Sequence, residues 1–220
     1  MIGFACCINN DRQYAELVAP RLFQQVGDHE TVVVELRDQT DIHNAYNQAR
    51  EVFLDSGVEF GIFMHQDVEL QSDAIFERLR GIFSDPTIGV IGPIGASRVS
   101  SLRWWEGEMR GRVTDTNFDL ATDDPFGDVD ALDGMFLAVS RTTLERVSFD
   151  PGYGGFHGYD VDLCFSARAV GLHVVTADLP MHHHTKGGYG DIVAYARAQA
   201  YFESKWKDAI AERGELELSR

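Results

Sequence analysis

The stretch Gly61–Leu70, with the sequence GIFMHQDVEL, decides how the rest of the chain is interpreted. Its apolar run ends abruptly at His65, Gln66 and Asp67, a pattern that is typical of a buried strand in a parallel sheet. A carboxylate that follows such a strand lies at the carboxyl edge of the sheet, where open α/β folds bind their ligands. Asp67 is therefore predicted to hold a metal ion or a phosphate-bound metal ion.

Strand and helix patterns alternate on both sides of this stretch. The predicted strands are apolar or β-branched, and the helices between them have apolar residues at helical spacing. The other early strands are Ile2–Ile8, Thr31–Leu36 and Ile88–Ile91, and the intervening helices include about Ala45–Leu54 and Ala74–Phe83. This alternation predicts an α/β protein of βαβ units with a mainly parallel central sheet.

The second part of the chain has a different character. Residues 95–128 show little periodicity, and a loop of this length in a compact domain is usually functional or disordered. The tryptophans within it, Trp104 and Trp105, favour a functional loop or a hairpin. Beyond it we expect a strand over Asp133–Val139, a helix that opens at the glycine-rich turn around Gly158, and a strand over His173–Thr176. An amphipathic helix from Ile192 to about Ala211 follows, and its apolar face could pack on its own domain or form a homo-oligomer.

Composition limits the classes of function. The 220 residues carry a net charge of −16. This charge argues against a general nucleic-acid binder, which needs a basic face. A nucleotide ligand is still allowed, because a divalent cation can neutralise a diphosphate locally.

The cysteines and the amino terminus bear on location. Cys6, Cys7 and Cys164 are an odd set with an adjacent pair, which does not suggest a disulfide framework. No apolar run approaches the roughly 18 residues of a membrane span, and the first residues enter a strand pattern without a basic segment. We expect a reduced, cytoplasmic protein without a membrane span.

Three clusters of polar residues follow the ends of predicted elements and could meet at one edge of the sheet. They are residues 65–67, the turn and helix start at 158–162, and His182–His184. Asp160 and Asp162 are two positions apart, so on a helix they cannot face the same way. If the chain is extended at the third cluster, His182 and His184 share one side, and imidazoles beside a carboxylate suit Mn, Zn or Fe.

Each cluster also has a purely structural interpretation. Asp67 could be a solvated residue at a strand end, and Asp160 with Asp162 could simply favour the dipole of a helix amino terminus. Trp104 and Trp105 could belong to the core, or their rings could stack on a sugar or a base.

Five segments together resemble the family 2 glycosyltransferases, which have the GT-A fold, and among them a small bacterial branch that includes StrF-type domains. The likeness extends from about Ile2 to Trp206. The segments are CINN (7–10), IHNAYNQARE (42–51), FMHQDVEL (63–70), DALDGMFLAVSR (130–141) and GFHGYDVDLCFSARAVGLHVV (155–175). The resemblance implies one GT-A domain over residues 1–220, with a nucleotide-binding half (1–94), an acceptor and catalytic half (95–191) and a carboxyl-terminal helix (192–220).

The resemblance also implies a donor site for a sugar nucleotide. Asp67 matches the final residue of the family's Asp-x-Asp motif and would bind Mn or Mg, while His65 replaces the first aspartate and Gln66 lies between them. A histidine after the last strand would complete the metal site, with His184 the first choice and His182 the second. The residues expected to bind the nucleotide are Asn9, Asn10, Glu35, Asn47, Gln66 and Asp67.

The acceptor side is assigned in the same way. Asp160 falls at the position of the catalytic base, and Tyr159 replaces the glutamate that precedes it in the family. We place Trp104, Trp105, Asp133 and Asp162 on the acceptor side. Transfer would then use a metal to stabilise the leaving diphosphate and a carboxylate to take the acceptor's proton, with inversion at the sugar.

Three alternatives remain open from sequence. A nucleotidyltransferase shares the sheet, but the residues after the first strand, Asn9 to Arg12, are not the glycine-rich basic sequence it needs. A metal hydrolase could be built on Asp67, His182 and His184. A GT-A-like domain without turnover could bind sugars, nucleotides or partners.

Overall fold

The computed structural model describes residues 1–26, 30–116, 119–122, 125–185 and 190–218. Its strands are β1 Ile2–Ile8, β2 Thr31–Arg37, β3 Phe60–His65, β4 Val68–Leu70, β5 Ile88–Gly92, β6 Ile94–Ser97, β7 Glu108–Asp115, β8 Asp119–Ala121, β9 Gly127–Asp128, β10 Ala131–Leu132, β11 Phe136–Ser140, β12 His173–Thr176 and β13 Met181–His183. Its α-helices are α1 Asp11–Gln13, α2 Ala19–Val26, α3 Ile42–Ser56, α4 Ile75–Ile82, α5 Arg141–Arg146, α6 Tyr159–Ala169 and α7 Ile192–Leu218. A π-helical turn over Tyr14–Val18 joins α1 to α2, and Trp104–Glu106 form a 3₁₀ turn.

The central sheet has seven strands in the order β2-β1-β3-β11-β5-β12-β9. Strands β2, β1, β3, β5 and β12 run in one direction, while β11 and β9 are antiparallel to their neighbours. The α/β class with a mainly parallel sheet is therefore confirmed. Its middle strands are buried along their whole length, which explains why they are continuous apolar runs rather than alternating ones.

A second, smaller sheet occupies the part of the chain that was expected to be a loop. Its order is β10-β6-β7-β13-β4, with β8 paired to β7. The expectation of an irregular loop over residues 95–128 was wrong, whereas the hairpin alternative is confirmed, because β6 and β7 pair antiparallel on either side of the tryptophans. The local sequence shows little periodicity because β6 and β8 are short and the eight residues of β7 include few apolar side chains.

Helix α3 packs closely on β1 and β3 because two glycines make room for the ring of Phe53. A Cβ atom at Gly3 or at Gly61 would lie 2.6 Å from an atom of that ring. Asp41 caps the helix by accepting a hydrogen bond from the Asn44 backbone at 2.8 Å.

Helix α7 lies against α6 through buried Phe202, whose ring meets that of Phe165 edge-on at 5.1 Å.

Within the described residues, no helix is both long and apolar enough to cross a membrane.

We predict that Gly61→Ala lowers the free energy of unfolding by about 1–3 kcal/mol, because the added methyl group overpacks the Phe53 ring. Urea denaturation measures the change. Gly81→Ala on α4 is the matched control, since its new Cβ meets nothing within 4 Å and a helical alanine is favoured over glycine. Equal stability of the Gly61 variant and the wild type would contradict the packing argument.

Candidate active site

A cavity of about 950 Å³ opens where β1, β2 and β3 end. Parallel strands bring their carboxyl ends to the same edge, so residues distant in sequence meet there. The residues just past the three strand ends contribute Asn9, Asp38 and Asp67, and the turn into α6 contributes Gly158 and Asp160. Because His183 also lines it, the cavity joins all three of the clusters singled out in the sequence.

His65, Asp67 and His183 converge in this cavity. His183 Nε2 lies 3.4 Å from Asp67 Oδ1, and His65 Nδ1 lies 3.9 Å from the same oxygen. One ligand atom from each residue lies within 4.8 Å of the others. Two imidazole nitrogens and a carboxylate oxygen form a donor set that suits Mn or Zn. The residues present therefore fit a single divalent cation.

Burial and the neighbouring charges shift the pKa of each side chain in the cluster. Burial opposes ionisation of Asp67, but the hydrogen bond from His183 and the proximity of His65 outweigh it and lower the pKa of the carboxyl group. Burial lowers the pKa of His65, despite the opposing effect of Asp67. Burial also acts against protonation of His183, but Asp67, Asp133 and Asp115 together raise its pKa. At neutral pH the cluster thus has an ionised carboxylate beside a neutral His65.

The structure places His182 and His184 away from Asp67, and this corrects the expected choice of histidine. Side chains alternate along a strand, so the two residues share a face and His183 takes the opposite one. His182 Nδ1 lies 2.9 Å from the Thr114 hydroxyl, and His184 Nε2 lies 3.0 Å from Glu69 Oε2. The run HHH does supply one cavity residue, and it is the middle one.

Asp160 stands half-buried in the first turn of α6 and lines the cavity. Its Oδ2 accepts a hydrogen bond from the Gly134 backbone at 3.1 Å. Burial, followed by the repulsion of nearby Asp133, raises the pKa of Asp160 to about 7. Asp133 also lines the cavity, and its Oδ1 accepts from the Met135 backbone at 2.8 Å.

Asp162 faces the opposite side of α6, so the expectation that it lies on the acceptor side needs correction. It is buried and accepts hydrogen bonds from Tyr153 and Trp206 at 2.9 and 2.8 Å. Lys205 Nζ lies 2.8 Å from the same carboxylate oxygen. The two positions between Asp160 and Asp162 turn the helix by about 200°, which sends one carboxylate to the cavity and the other to α7.

Gln66 organises the chain after β1. Its Oε1 accepts hydrogen bonds from the backbone N–H groups of Asn9 and Asn10, each at 2.9 Å, and its amide donates to the Asn9 side chain. Gln66 and Asn9 line the cavity, whereas the Asn10 side chain caps α1 by accepting from the Gln13 backbone.

Glu35 and Asn47, two of the expected nucleotide contacts, do not line this cavity. Glu35 pairs with Arg37 at 2.6 Å, beside a separate shallow pocket. The Asn47 amide is tied to the backbone of Phe149 in both directions, at 2.7 and 3.0 Å. Asp38, three residues beyond Glu35, does line the cavity and has a left-handed backbone with φ +57°. Asp38 was not predicted as a cavity residue, although it lies at the start of the polar loop after β2.

Aromatic side chains form one wall of the cavity. Trp104 is buried and Trp105 is 38% exposed, with their rings edge-on at 6.0 Å. Phe156 and Tyr195 stand in the same wall. Both tryptophans therefore line the cavity where they were expected, and Trp104 also belongs to the core.

We predict that Asp162→Ala destabilises the protein by about 3–5 kcal/mol, because it leaves a buried tyrosine hydroxyl and an indole N–H without their partner and removes one of the two carboxylates that pair with Lys205. Denaturant unfolding measures the loss. The control is Asp178→Ala, which removes a surface pair with Arg78 worth about 0–1 kcal/mol. Equal effects of the two substitutions would contradict an anchoring role for Asp162.

The sequence is similar to a known protein family and to a characterised protein. A model described as "Glycosyltransferase like family" matches residues 3–202. The streptomycin biosynthesis protein StrF of Streptomyces griseus is 32% identical over 202 residues, which cover 87% of this chain and 70% of that protein. The resemblance noted from the sequence motifs is confirmed.

Solved structures with a similar fold include two glycosyltransferases. The mannosyltransferase PcManGT from Pyrobaculum calidifontis, in complex with GDP-Man and Mn²⁺, has a TM-score of 0.55 at 15% identity, over 86% of this chain and 58% of that one. GalNAc-T7, with UDP, GalNAc and Mn²⁺, has a TM-score of 0.56 at 12% identity, over 96% of this chain and 50% of that one. The chain thus spans about half the length of each, and the expected GT-A fold is confirmed.

Proposed function

The chain belongs to this glycosyltransferase-like family, and on that premise we propose that it transfers a sugar from a nucleotide-diphosphate donor to an acceptor hydroxyl, with the aid of a divalent cation. The observation that carries the proposal is the meeting of two kinds of group in one cavity. The cluster of His65, Asp67 and His183 suits a cation, and Asp160 supplies a carboxylate whose pKa is raised to about 7.

The charge of the cavity supports the need for a cation. Five aspartates line it, namely Asp38, Asp67, Asp115, Asp133 and Asp160, whereas none of its described lining residues is a lysine or an arginine. A nucleotide diphosphate would be repelled by such a surface unless a cation came between them. When bound, the cation would act as a Lewis acid on the leaving diphosphate.

Asp160 would accept the proton of the attacking hydroxyl. A general base works best when its pKa lies near the working pH, and burial brings this carboxyl group into that range. Its hydrogen bond to the Gly134 backbone holds Oδ2 in place. Direct displacement by the acceptor on the face opposite the leaving group would invert the configuration at the sugar, and we propose inversion on this ground.

The remaining walls would hold the two substrates. Trp105 and Phe156 offer apolar ring faces of the kind that stack on sugars. Asp38 would accept hydrogen bonds from the base or the ribose of the donor, in place of Glu35. Asn9 and Gln66, which are hydrogen-bonded to each other, would shape the neighbouring wall.

The structure bears on two of the alternatives raised by the sequence, the metal hydrolase and the binding domain without turnover. The metal hydrolase was built on Asp67, His182 and His184, but the two histidines face away from Asp67. A binding domain without turnover does not need a general base, whereas Asp160 has a pKa near 7 and lies in the cavity with the cation site. The Asp160→Asn variant described next distinguishes such a domain from a transferase.

We predict that Asp160→Asn lowers kcat by about 10²–10⁴-fold with little change in donor binding, because the amide cannot take the acceptor's proton. Donor turnover, to an acceptor or to water, is measured as nucleotide release. For the wild type, kcat/KM should rise with pH up to about 7, where Asp160 becomes ionised, and level off above it. The same substitution at exposed Asp178 is the control, and a flat pH profile with an active Asp160 variant would exclude its role as base.

We predict that Mn²⁺ binds more tightly than Mg²⁺, because two of the three donors are imidazole nitrogens. Asp67→Ala and His183→Ala should weaken Mn²⁺ binding at least about tenfold, as measured by titration calorimetry. His184→Ala is the matched control, since it removes a neighbouring imidazole that faces Glu69 instead. Loss of binding in the His184 variant with none in the His183 variant would reverse the assignment.

A further inference from the structure

Two residues that replace the family's usual acids touch one another in the cavity. His65 stands where the family has the first aspartate of its metal motif, and Tyr159 stands where it has a glutamate. The Tyr159 hydroxyl lies 2.6 Å from His65 Nε2. The two replacements therefore form a single hydrogen-bonded unit beside the cluster of His65, Asp67 and His183.

The second partner of the tyrosine fixes where its proton lies. The Tyr159 hydroxyl also lies 3.0 Å from the backbone carbonyl oxygen of Gly134, which can only accept. The hydroxyl has one hydrogen, so both contacts are hydrogen bonds only if that hydrogen goes to the carbonyl and His65 donates from Nε2. Nδ1 of the neutral ring then has no hydrogen, and its lone pair faces Asp67.

The other imidazole of the cluster has a matching partner. His183 Nδ1 lies 3.4 Å from Asp115 Oδ2, and the Asp115 side chain is only 6% exposed. His183 Nε2 lies equally close, 3.4 Å, to Asp67 Oδ1, so each ring nitrogen faces a carboxylate. A cation between Asp67 and Nε2 would take the place of a hydrogen on that nitrogen, and the hydrogen on Nδ1 would then be directed to Asp115.

We propose that Tyr159 and Asp115 are positioning residues. Tyr159 selects the tautomer of His65 whose Nδ1 lone pair faces Asp67, and Asp115 accepts the Nδ1 hydrogen of His183, which leaves Nε2 for the cation. The proposal rests on the proposed function in that the lone pairs serve the divalent cation. Metal-bound histidines commonly donate their other N–H to such an outer partner, and loss of that partner typically weakens metal binding by about 10- to 100-fold.

The surroundings explain why a tyrosine suits this position. Tyr159 is buried, with its ring edge-on to that of Tyr46 at 5.6 Å. A carboxylate here would add another negative charge beside Asp160 and Asp133, whereas a phenol holds the imidazole without adding charge. A Cβ at residue 134 would lie 2.3 Å from the phenol oxygen, so Gly134 lets the hydroxyl reach both partners.

The first experiment reads the tautomers directly and needs no metal. Two-bond ¹H–¹⁵N spectra of the metal-free protein, recorded at a pH where both rings are neutral, distinguish an Nε2–H from an Nδ1–H imidazole. We expect Nε2–H for His65. In Tyr159→Phe, His65 should shift toward a mixture of tautomers. The Nδ1–H tautomer of His65 in the wild type, or no change at His65 in the variant, would overturn the proposal.

The second experiment measures the effect on the cation. Tyr159→Phe and Asp115→Ala should each weaken Mn²⁺ binding by about tenfold or more, and Asp115→Asn, which keeps an acceptor oxygen, should recover part of the loss. Tyr153→Phe is the matched control, because it removes a buried hydroxyl that bonds Asp162 instead. An unchanged affinity in Tyr159→Phe would overturn the proposal.

A double substitution separates positioning from a general structural effect. In a His65→Asp background, Tyr159→Phe should cost little further Mn²⁺ affinity, because the tyrosine acts through the imidazole. Equal losses in both backgrounds would show a structural effect and overturn the proposal. If wild-type protein binds no Mn²⁺, the proposed function fails, while the spectra still decide the tautomers.

Discussion

The cavity depends on one electrostatic arrangement, in which the carboxylate of Asp67 lies between two imidazole rings at the end of β3. The carboxylate would be costly to bury alone, and the neighbouring rings keep its pKa low. Each ring has an outer contact, to Tyr159 or to Asp115. Strands of both sheets and the start of α6 thus converge on a single charge.

The packing of α3 and the geometry of the cavity are connected through β3. The same strand that accommodates Phe53 over Gly61 ends four residues later at His65. Residues after β1 are then held to residues after β3 by Gln66, which accepts from two successive backbone N–H groups. Core packing thus sets the direction of the strand, and a local hydrogen-bond network sets the loops at its end.

The sequence was sufficient for the features that have a local signal. The buried strands around β3, the carboxylate at its end and the helix that begins near Asp160 all follow from runs of apolar residues and their limits. The small sheet had no such signal, because most of its strands have two to four residues and its longest, β7, has few apolar side chains.

Which histidine of the run His182–His184 faces the cavity could not be predicted from the sequence. Alternation along a strand separates His183 from its neighbours, but only the register of β13 against β4 and β7 decides which face turns inward. Asp160 and Asp162 pose the same problem on a helix, where spacing shows that they diverge but not which one meets α7. The expected nucleotide contacts of Glu35 and Asn47 were wrong for another reason. Their side chains bind Arg37 and the Phe149 backbone, which lie outside the cavity.

The acidity of the chain affects ligand binding at the cavity. The net charge of −16 by itself bears only on solubility and on the general choice of partners. The aspartates that line the cavity, in contrast, repel an anionic ligand directly. Coulomb repulsion in a half-buried site is stronger than in water, so an uncompensated diphosphate would be disfavoured there. A cation held by Asp67 and two neutral imidazoles would keep most of its charge, since only one of the three ligands is anionic. With His65 in place of a second carboxylate, a bound cation would therefore attract a diphosphate more strongly than one held by two aspartates.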